Sequence, residues 1–168
     1  MSKIELVAVD YQNSQHANDL VSMLDHYASD VSGGGEPLSA EVRQSLAARL
    51  ATRSDADSVL AYVDNRPAGL LNCFEGFSTF AARPLLNIHD VIVHQDFRRR
   101  GIARRLLNAA RDIAIRRGCC KMTLEVLSEN RGAVAAYKQF GFERYQLDPT
   151  FGPAVFMEMK LDGAASLA

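Results

Sequence analysis

Residues 91–107 read VIVHQDFRRRGIARRLL. An apolar run ends and a short polar loop follows over 94–100. A helix is then predicted from about 101 to 117, with Ile102, Leu106, Ala110, Ile113 and Ala114 on one stripe and Gly118 as its stop. Arg98, Gly101 and Ala103 stand at R-x-x-G-x-A spacing where that helix begins. A helix N-terminus presents unpaired backbone N–H groups and the positive end of the dipole, and small residues there let an anion come close to the main chain. The ligand this predicts is a polyphosphate. No Gly-Lys-Ser/Thr follows, which excludes the P-loop, and the three spaced glycines of the dinucleotide fingerprint are absent.

Upstream, 85–93 is mostly apolar and reads as a central strand buried on both faces. Residues 58–63 and 68–77 read as an antiparallel hairpin about the turn Asp64-Asn65-Arg66-Pro67. A first strand is predicted over 4–10. Ser14 is placed as the cap of a helix carrying Ala17, Leu20, Val21 and Leu24, and Ser39 as the cap of one carrying Val42, Leu46, Ala47 and Leu50. Between them SDVSGGGEPL (29–38) is a loop, placed at the mouth of a substrate site. Downstream come a strand over 122–127, a helix with Ala133, Ala136, Tyr137 and Phe140 ended by Gly141, and two strands, 142–147 and 154–161, about Asp148-Pro149. With no internal repeat or long linker, the pattern predicts one α/β domain over 1–161, its sheet mixed and mostly antiparallel with flanking helices, and a flexible tail over 162–168.

The chain has 168 residues, 48% hydrophobic and 23% charged, the composition of a globular domain with a core of its own. No run approaches a membrane span, and the start, MSKIELVAVD, lacks a signal-peptide apolar segment, so a membrane association is not expected. Cys73, Cys119 and Cys120 have neither C-x-x-C nor zinc-ligand spacing; three reduced thiols, no metal and a cytoplasmic protein are the expectation. The net charge of −1 hides an asymmetry: residues 98–121 hold nine basic residues against the single acid Asp112, a surplus of eight, which leaves −9 for the rest. Such a basic island fits one anionic ligand held at a fixed place, with Arg104, Arg105, Arg111, Arg116 and Arg117 also serving as an outer helix face. Without an aromatic stacking run or an overall basic charge, nucleic acid is not the expected partner.

About 30 residues further on, SENRGAVAAYKQFGF places Asn130, Ala133, Tyr137 and Gly141-Phe142 after the strand residues Leu124-Glu125-Val126-Leu127. With the R-x-x-G-x-A loop, this N-x-x-A-x-x-x-Y-x-x-x-G-F pattern resembles the GNAT superfamily of acetyl-CoA-dependent N-acetyltransferases, over about 88–142. The strand Leu86-Asn87-Ile88-His89-Asp90-Val91-Ile92-Val93 is similar to that of the small-molecule branch, which includes diamine and polyamine acetyltransferases. The resemblance implies a GNAT fold and acetyl transfer from acetyl-CoA to a primary amine by direct attack in a ternary complex. It also implies a small, cationic acceptor, which the acidic remainder of the chain favours, and a homodimer. Val91, Ile92 and Val93 would then offer backbone groups to the pantetheine arm. Arg98, Arg99, Arg100, Gly101, Ile102, Ala103 and Arg104 would hold the pyrophosphate, and Asn130 would hydrogen-bond the cosubstrate. Tyr137 would protonate the departing thiolate. The competing functions are an acyl-CoA-binding module without turnover, and acetylation of a protein N-terminus or lysine.

An alkylammonium is almost fully protonated at neutral pH and must lose a proton before it attacks a thioester. Where the polyamine branch commonly has Glu-Asp, this chain has His89-Asp90. Histidine titrates near about 6.5 and suits the base, directly or through water. Strict alternation would put His89 with Val91 and Val93, and Asp90 with Ile88 and Ile92, leaving only one of the two facing the acceptor. Glu75 is a further candidate, with an exposed surface carboxylate as its plainer reading. His16, His26 and His94 read as surface residues.

Overall fold

A computed structural model of the chain describes residues 3–30, 33–146, 148, 150, 152–159 and 161. The elements are β1 (Ile4–Ala8), α1 (Ser14–Ser29), α2 (Ala40–Ala51), β2 (Ala56–Val63), β3 (Arg66–Ser78), β4 (Arg83–Val93), α3 (Ile102–Arg116), β5 (Met122–Leu124) and α4 (Arg131–Phe140). Cα packing divides the chain into two compact units, one ending at Leu124 and one beginning at Glu125. In the first, the sheet runs in the order β1-β2-β3-β4-β5, antiparallel throughout except where β4 meets β5. The mixed, mostly antiparallel sheet with flanking helices is the α/β fold that the pattern predicts.

Adjacent strand residues face opposite ways, and β3 shows which helix takes which face. Leu70 joins Leu20 and Met23 of α1, Leu50 of α2, and Leu60 and Ile92 in one core cluster. On the other face, a Cβ added to Gly69 would stand 2.8 Å from Ile102 Cγ2 and 3.1 Å from Leu106 Cδ1, so α3 lies close over the backbone there. Ile102, Leu106, Leu107, Ala110, Ile113 and Ala114 form its buried stripe. A leucine fully removed from water contributes about 2 kcal/mol, and Leu20, Leu60, Leu70, Leu71, Leu86, Leu106 and Leu107 all reach that state. The anchor of α1 is polar: Asp19 is buried, accepting from Tyr62 Oη at 2.7 Å and from Gln15 Nε2 at 2.9 Å.

Several boundaries differ from the sequence expectation. Asn13, not Ser14, caps α1, because its side chain accepts from the amides of Gln15 and His16; Ser39 caps α2 as expected. The β2–β3 turn is the two-residue Asp64-Asn65, both at positive φ (48° and 64°), so Arg66 and Pro67 belong to β3. Positive φ at both positions matches the strand twist, and Asn and Asp tolerate it. β5 stops at Leu124 rather than 127. Strands were expected over 142–147 and 154–161, but none forms among the described residues there. A strand exists through its ladder; Tyr145, Val155, Phe156, Met157, Met159 and Leu161 are instead exposed. The expected tail over 162–168, and Val31 and Ser32 of the glycine loop, lie outside the described residues.

The three cysteines are free thiols, Cys73 fully buried. Burial, and then the charge of Asp57, push its thiol up to about 12. The folded state therefore holds that proton more tightly than the unfolded chain, where a thiol titrates near about 8.5. The resulting stability is complete below that value and is lost as pH rises towards about 12. Cys73→Ala is expected to flatten the alkaline fall of the urea midpoint over this window. An unchanged slope would assign the fall to Tyr11, Tyr27 and Tyr62, whose phenols are also raised by burial.

Candidate active site

The register of β4 carries an irregularity at the residue singled out in the sequence. Cys73 lies opposite Ile88 and Asn72 opposite Asp90, so His89 is an extra residue, a β-bulge. Cross-strand partners share a face, which puts Ile88 with Cys73 and Asp90 with Asn72, on opposite sides of the sheet. Asp90 stays with Ile92, as alternation predicts, but not with Ile88. His89 is exposed, its ring edge-on to Phe74 at 5.6 Å, and Phe74 shares the face of Asn72. The bulge thus aims His89 and Asp90 at one face, where strict alternation would have separated them. β4 is also less covered than expected: Ile88 and Ile92 are buried, His89 is exposed, and Val91 and Val93 are half-buried.

Beyond the bulge the strand edge opens. The ladder to β5 pairs Leu86, Asn87 and Ile88 with Met122, Thr123 and Leu124 and ends there. Among the described residues no strand pairs with the β5-side edge of β4 at His89, Asp90, Val91, Ile92 and Val93. The edge leads through a 3₁₀ turn, Gln95–Phe97, to the start of α3. Arg99 (φ +64°) and Gly101 (φ +77°) are both left-handed, a conformation that turns successive N–H groups toward one concavity. Gly101 is the N-cap of α3 and brings no side-chain oxygen to its N–H groups, and a Cβ added there would meet nothing within 4 Å. An open space lined by uncapped amides suits an anion. Ile102 is buried and has only its main chain to offer.

The arginines sort differently. Arg98 donates from Nε to the Val93 carbonyl at 3.4 Å and pairs with Asp30 at 3.5 Å, while Arg100 lies over the Phe97 ring at 5.4 Å. Arg117 is not a solvated helix residue: it bridges Asp57 at 2.8 Å and Glu75 at 2.9 Å and donates to the Ser54 carbonyl. Glu75 is therefore half-buried and engaged, on the face opposite His89. His26 and His94, read as surface residues, are half-buried and stack with ring centroids 4.2 Å apart. In the second unit, Asn130 caps α4 by accepting from the Ala133 amide at 3.2 Å, and Tyr137 is half-buried against the edge of Phe142 at 6.0 Å. Among the described residues no group of three His, Cys, Asp or Glu side chains is placed to hold a metal ion, and no helix is long and apolar enough to cross a membrane.

Residues 20–142 match the model of the acetyltransferase (GNAT) family. The chain belongs to that family. An uncharacterised N-acetyltransferase of Methanocaldococcus jannaschii is 34% identical over 99 residues, 58% of this chain and 44% of that protein, so the match spans less than half of this relative. A thialysine N-epsilon-acetyltransferase of Caenorhabditis elegans is 26% identical over 98% of this chain and 96% of its own. The aminoglycoside acetyltransferase AAC(6')-Iy, solved with a bisubstrate analogue of CoA, superposes with a TM-score of 0.75 at 16% identity, covering 95% of this chain and 100% of that one; this likeness is one of fold.

One polar residue of this GNAT chain escaped the sequence reading. Asn72 is buried in the middle of β3 and donates from Nδ2 to Asp90 Oδ2 at 2.9 Å. An asparagine within the apolar run Gly69-Leu70-Leu71-Asn72-Cys73-Phe74 is a legible signal, since a buried amide needs partners.

Proposed function

We propose that the chain transfers an acetyl group from acetyl-CoA to a primary amine of a small, cationic molecule, by direct attack within a ternary complex. The observation that carries this is the strand edge of β4, released by β5 at Ile88 and leading straight to the uncapped start of α3. An elongated ligand with amide groups along one half and a pyrophosphate at the other fits that sequence of sites, and CoA is such a ligand. Val91, Ile92 and Val93 take the amide-bearing arm with backbone groups, and the main-chain amides of Arg99 to Arg104 take the pyrophosphate. Arg98 stiffens the loop through Val93 and Asp30. Asn130 spends its carbonyl oxygen on the cap, so its Nδ2 is the end left for the cosubstrate. Acetyl-CoA supplies an activated carbonyl; His89 takes the proton of the acceptor ammonium and Tyr137 gives one to the departing thiolate.

Acetyl-CoA consumption across diamines, polyamines, amino acids, aminoglycosides and peptides tests this. Turnover confined to small amines supports the proposal; a folded protein that binds acetyl-CoA and acetylates none of them is a binding module instead. A histidine base works only when neutral, so the rate at low amine should rise with pH through an inflection that His89→Gln removes. The same variant should lower the rate by about 10²-fold, the scale of a positioned base. An inflection that persists in His89→Gln would move the role to another group, Asp90 first.

A further inference from the structure

A row of polar side chains crosses the face of the sheet that packs against α1. Tyr11, just after β1, lies with its Oη 2.9 Å from Ser58 Oγ on β2; Ser58 Oγ donates to Asn72 Oδ1 on β3 at 2.6 Å; Asn72 Nδ2 donates to Asp90 Oδ2 on β4 at 2.9 Å. The ladder places Ser58 directly opposite Asn72, and Asn72 directly opposite Asp90. Ser58 and Asn72 are each 4% exposed. A buried polar group costs about 1–3 kcal/mol if left unpaired, and among the described residues no buried side-chain polar atom lacks a partner.

Counting protons gives the row a direction. Ser58 has one hydroxyl proton and gives it to Asn72, so Tyr11 must be the donor to Ser58. Asn72, its carbonyl occupied, turns its amide N–H to Asp90. Every bond thus points toward Asp90, whose Oδ2 accepts the last one. The carboxylate at the end is half-buried and has no ion-pair partner among the described residues, whereas Asp25, Asp30, Asp57 and Glu75 are each matched with an arginine. Beside it stand His89, placed on the same face by the bulge, and Tyr27 of α1, whose phenol is held above its ordinary range by burial and then by the charges of Asp90 and Asp30. Like Asp19 of α1, Asp90 is a carboxylate on this face held by hydrogen bonds without an arginine, but Asp19 is buried whereas Asp90 is half-buried and open to a ligand.

We propose that Tyr11, Ser58 and Asn72 are positioning residues that hold Asp90 as the carboxylate which receives the acceptor's ammonium. The inference rests on the acetyl-transfer reading for the word acceptor; the cation site itself does not. Asp90 and His89 then divide the work: one binds the protonated amine, the other removes its proton. The chain fixes one oxygen of Asp90 from below and leaves the other for the ligand, so the carboxylate loses little freedom on binding.

Calorimetric titration with 1,4-diaminobutane tests the cation site without any turnover. Asp90→Asn keeps the shape and removes the charge, and should weaken diamine binding by about 10- to 100-fold, the scale of a charge-assisted hydrogen bond. Ser58→Ala and Tyr11→Phe should weaken it by smaller factors, with Ser58→Thr restoring it, and acetyl-CoA affinity should be unchanged in all four. In turnover, Asp90→Asn and Ser58→Ala should raise KM for the diamine far more than they lower kcat, and leave KM for an arylamine, uncharged at the assay pH, where it was. Equal diamine binding by wild type and Asp90→Asn, or no binding by wild type, overturns the inference. Wild-type binding in Ser58→Ala and Tyr11→Phe overturns the role of the chain. A wild type that binds diamine through Asp90 yet acetylates no amine refutes the acetyl-transfer reading and leaves the cation site standing.

Discussion

Gly101→Glu is expected to abolish acetyl-CoA binding while leaving the protein folded. The position is the N-cap of α3, at φ +77°, with nothing within 4 Å of an added Cβ, so the new side chain meets no core atom. The cost to folding is the left-handed conformation of a non-glycine residue, about 1–2 kcal/mol. Part of that is offset because a carboxylate at a helix N-terminus interacts favourably with the dipole, by about 0.3–1 kcal/mol. That same offset is what excludes the ligand: the glutamate brings its own anion to the amides that would hold the pyrophosphate. Gly101→Ala separates the two effects, since it carries the strain without the charge and should weaken binding only modestly. Calorimetry should show acetyl-CoA affinity reduced more than 10²-fold for the glutamate, with a melting transition close to that of the alanine variant. A folded Gly101→Glu protein with wild-type affinity would remove the start of α3 as the pyrophosphate site.

What the sequence could and could not carry follows from the range of each signal. The helices were legible because their periods and caps are local: the α3 stripe and the Ser39 cap are visible within a few residues of themselves. The bulge at His89 was not, because a bulge is a relation between two strands, and β4 alone shows only alternation. Missing it separated His89 from Asp90, which the register puts on one face. Glu75 and Arg117 failed for a related reason: 42 residues apart, they meet only because α3 ends beside β3. The expected strands after Phe142 were read from apolar content, which cannot distinguish a strand from an exposed apolar segment without a partner edge. The turn into α3 was legible because a helix start is marked locally, here by the glycine at its N-cap.

Tyr137→Phe should lower turnover by about 10²-fold or more, the range for loss of a positioned acid, with acetyl-CoA binding little changed. The expectation rests on the match of Tyr137 to the family motif and on the chemistry of its hydroxyl. A phenol titrates near about 10, and a thiolate formed from an ordinary thiol, near about 8.5, is less basic than the phenolate left behind. Proton transfer is then slightly uphill, which a fixed donor distance can sustain and a diffusing water cannot easily match. The substitution isolates that hydroxyl, because the ring keeps its edge contact with Phe142 and the main chain of α4 is untouched: the Tyr137 carbonyl still accepts from the amides of Gly141 and Phe142. Stability should therefore fall by no more than one hydrogen bond is typically worth, about 1 kcal/mol. The loss should also depend on the leaving group. An acetyl thioester of an electron-poor arylthiol departs without a proton, so with such a donor the variant should approach the wild-type rate. An equal deficit with both donors would make Tyr137 a packing residue, and wild-type turnover with acetyl-CoA would pass the proton to water.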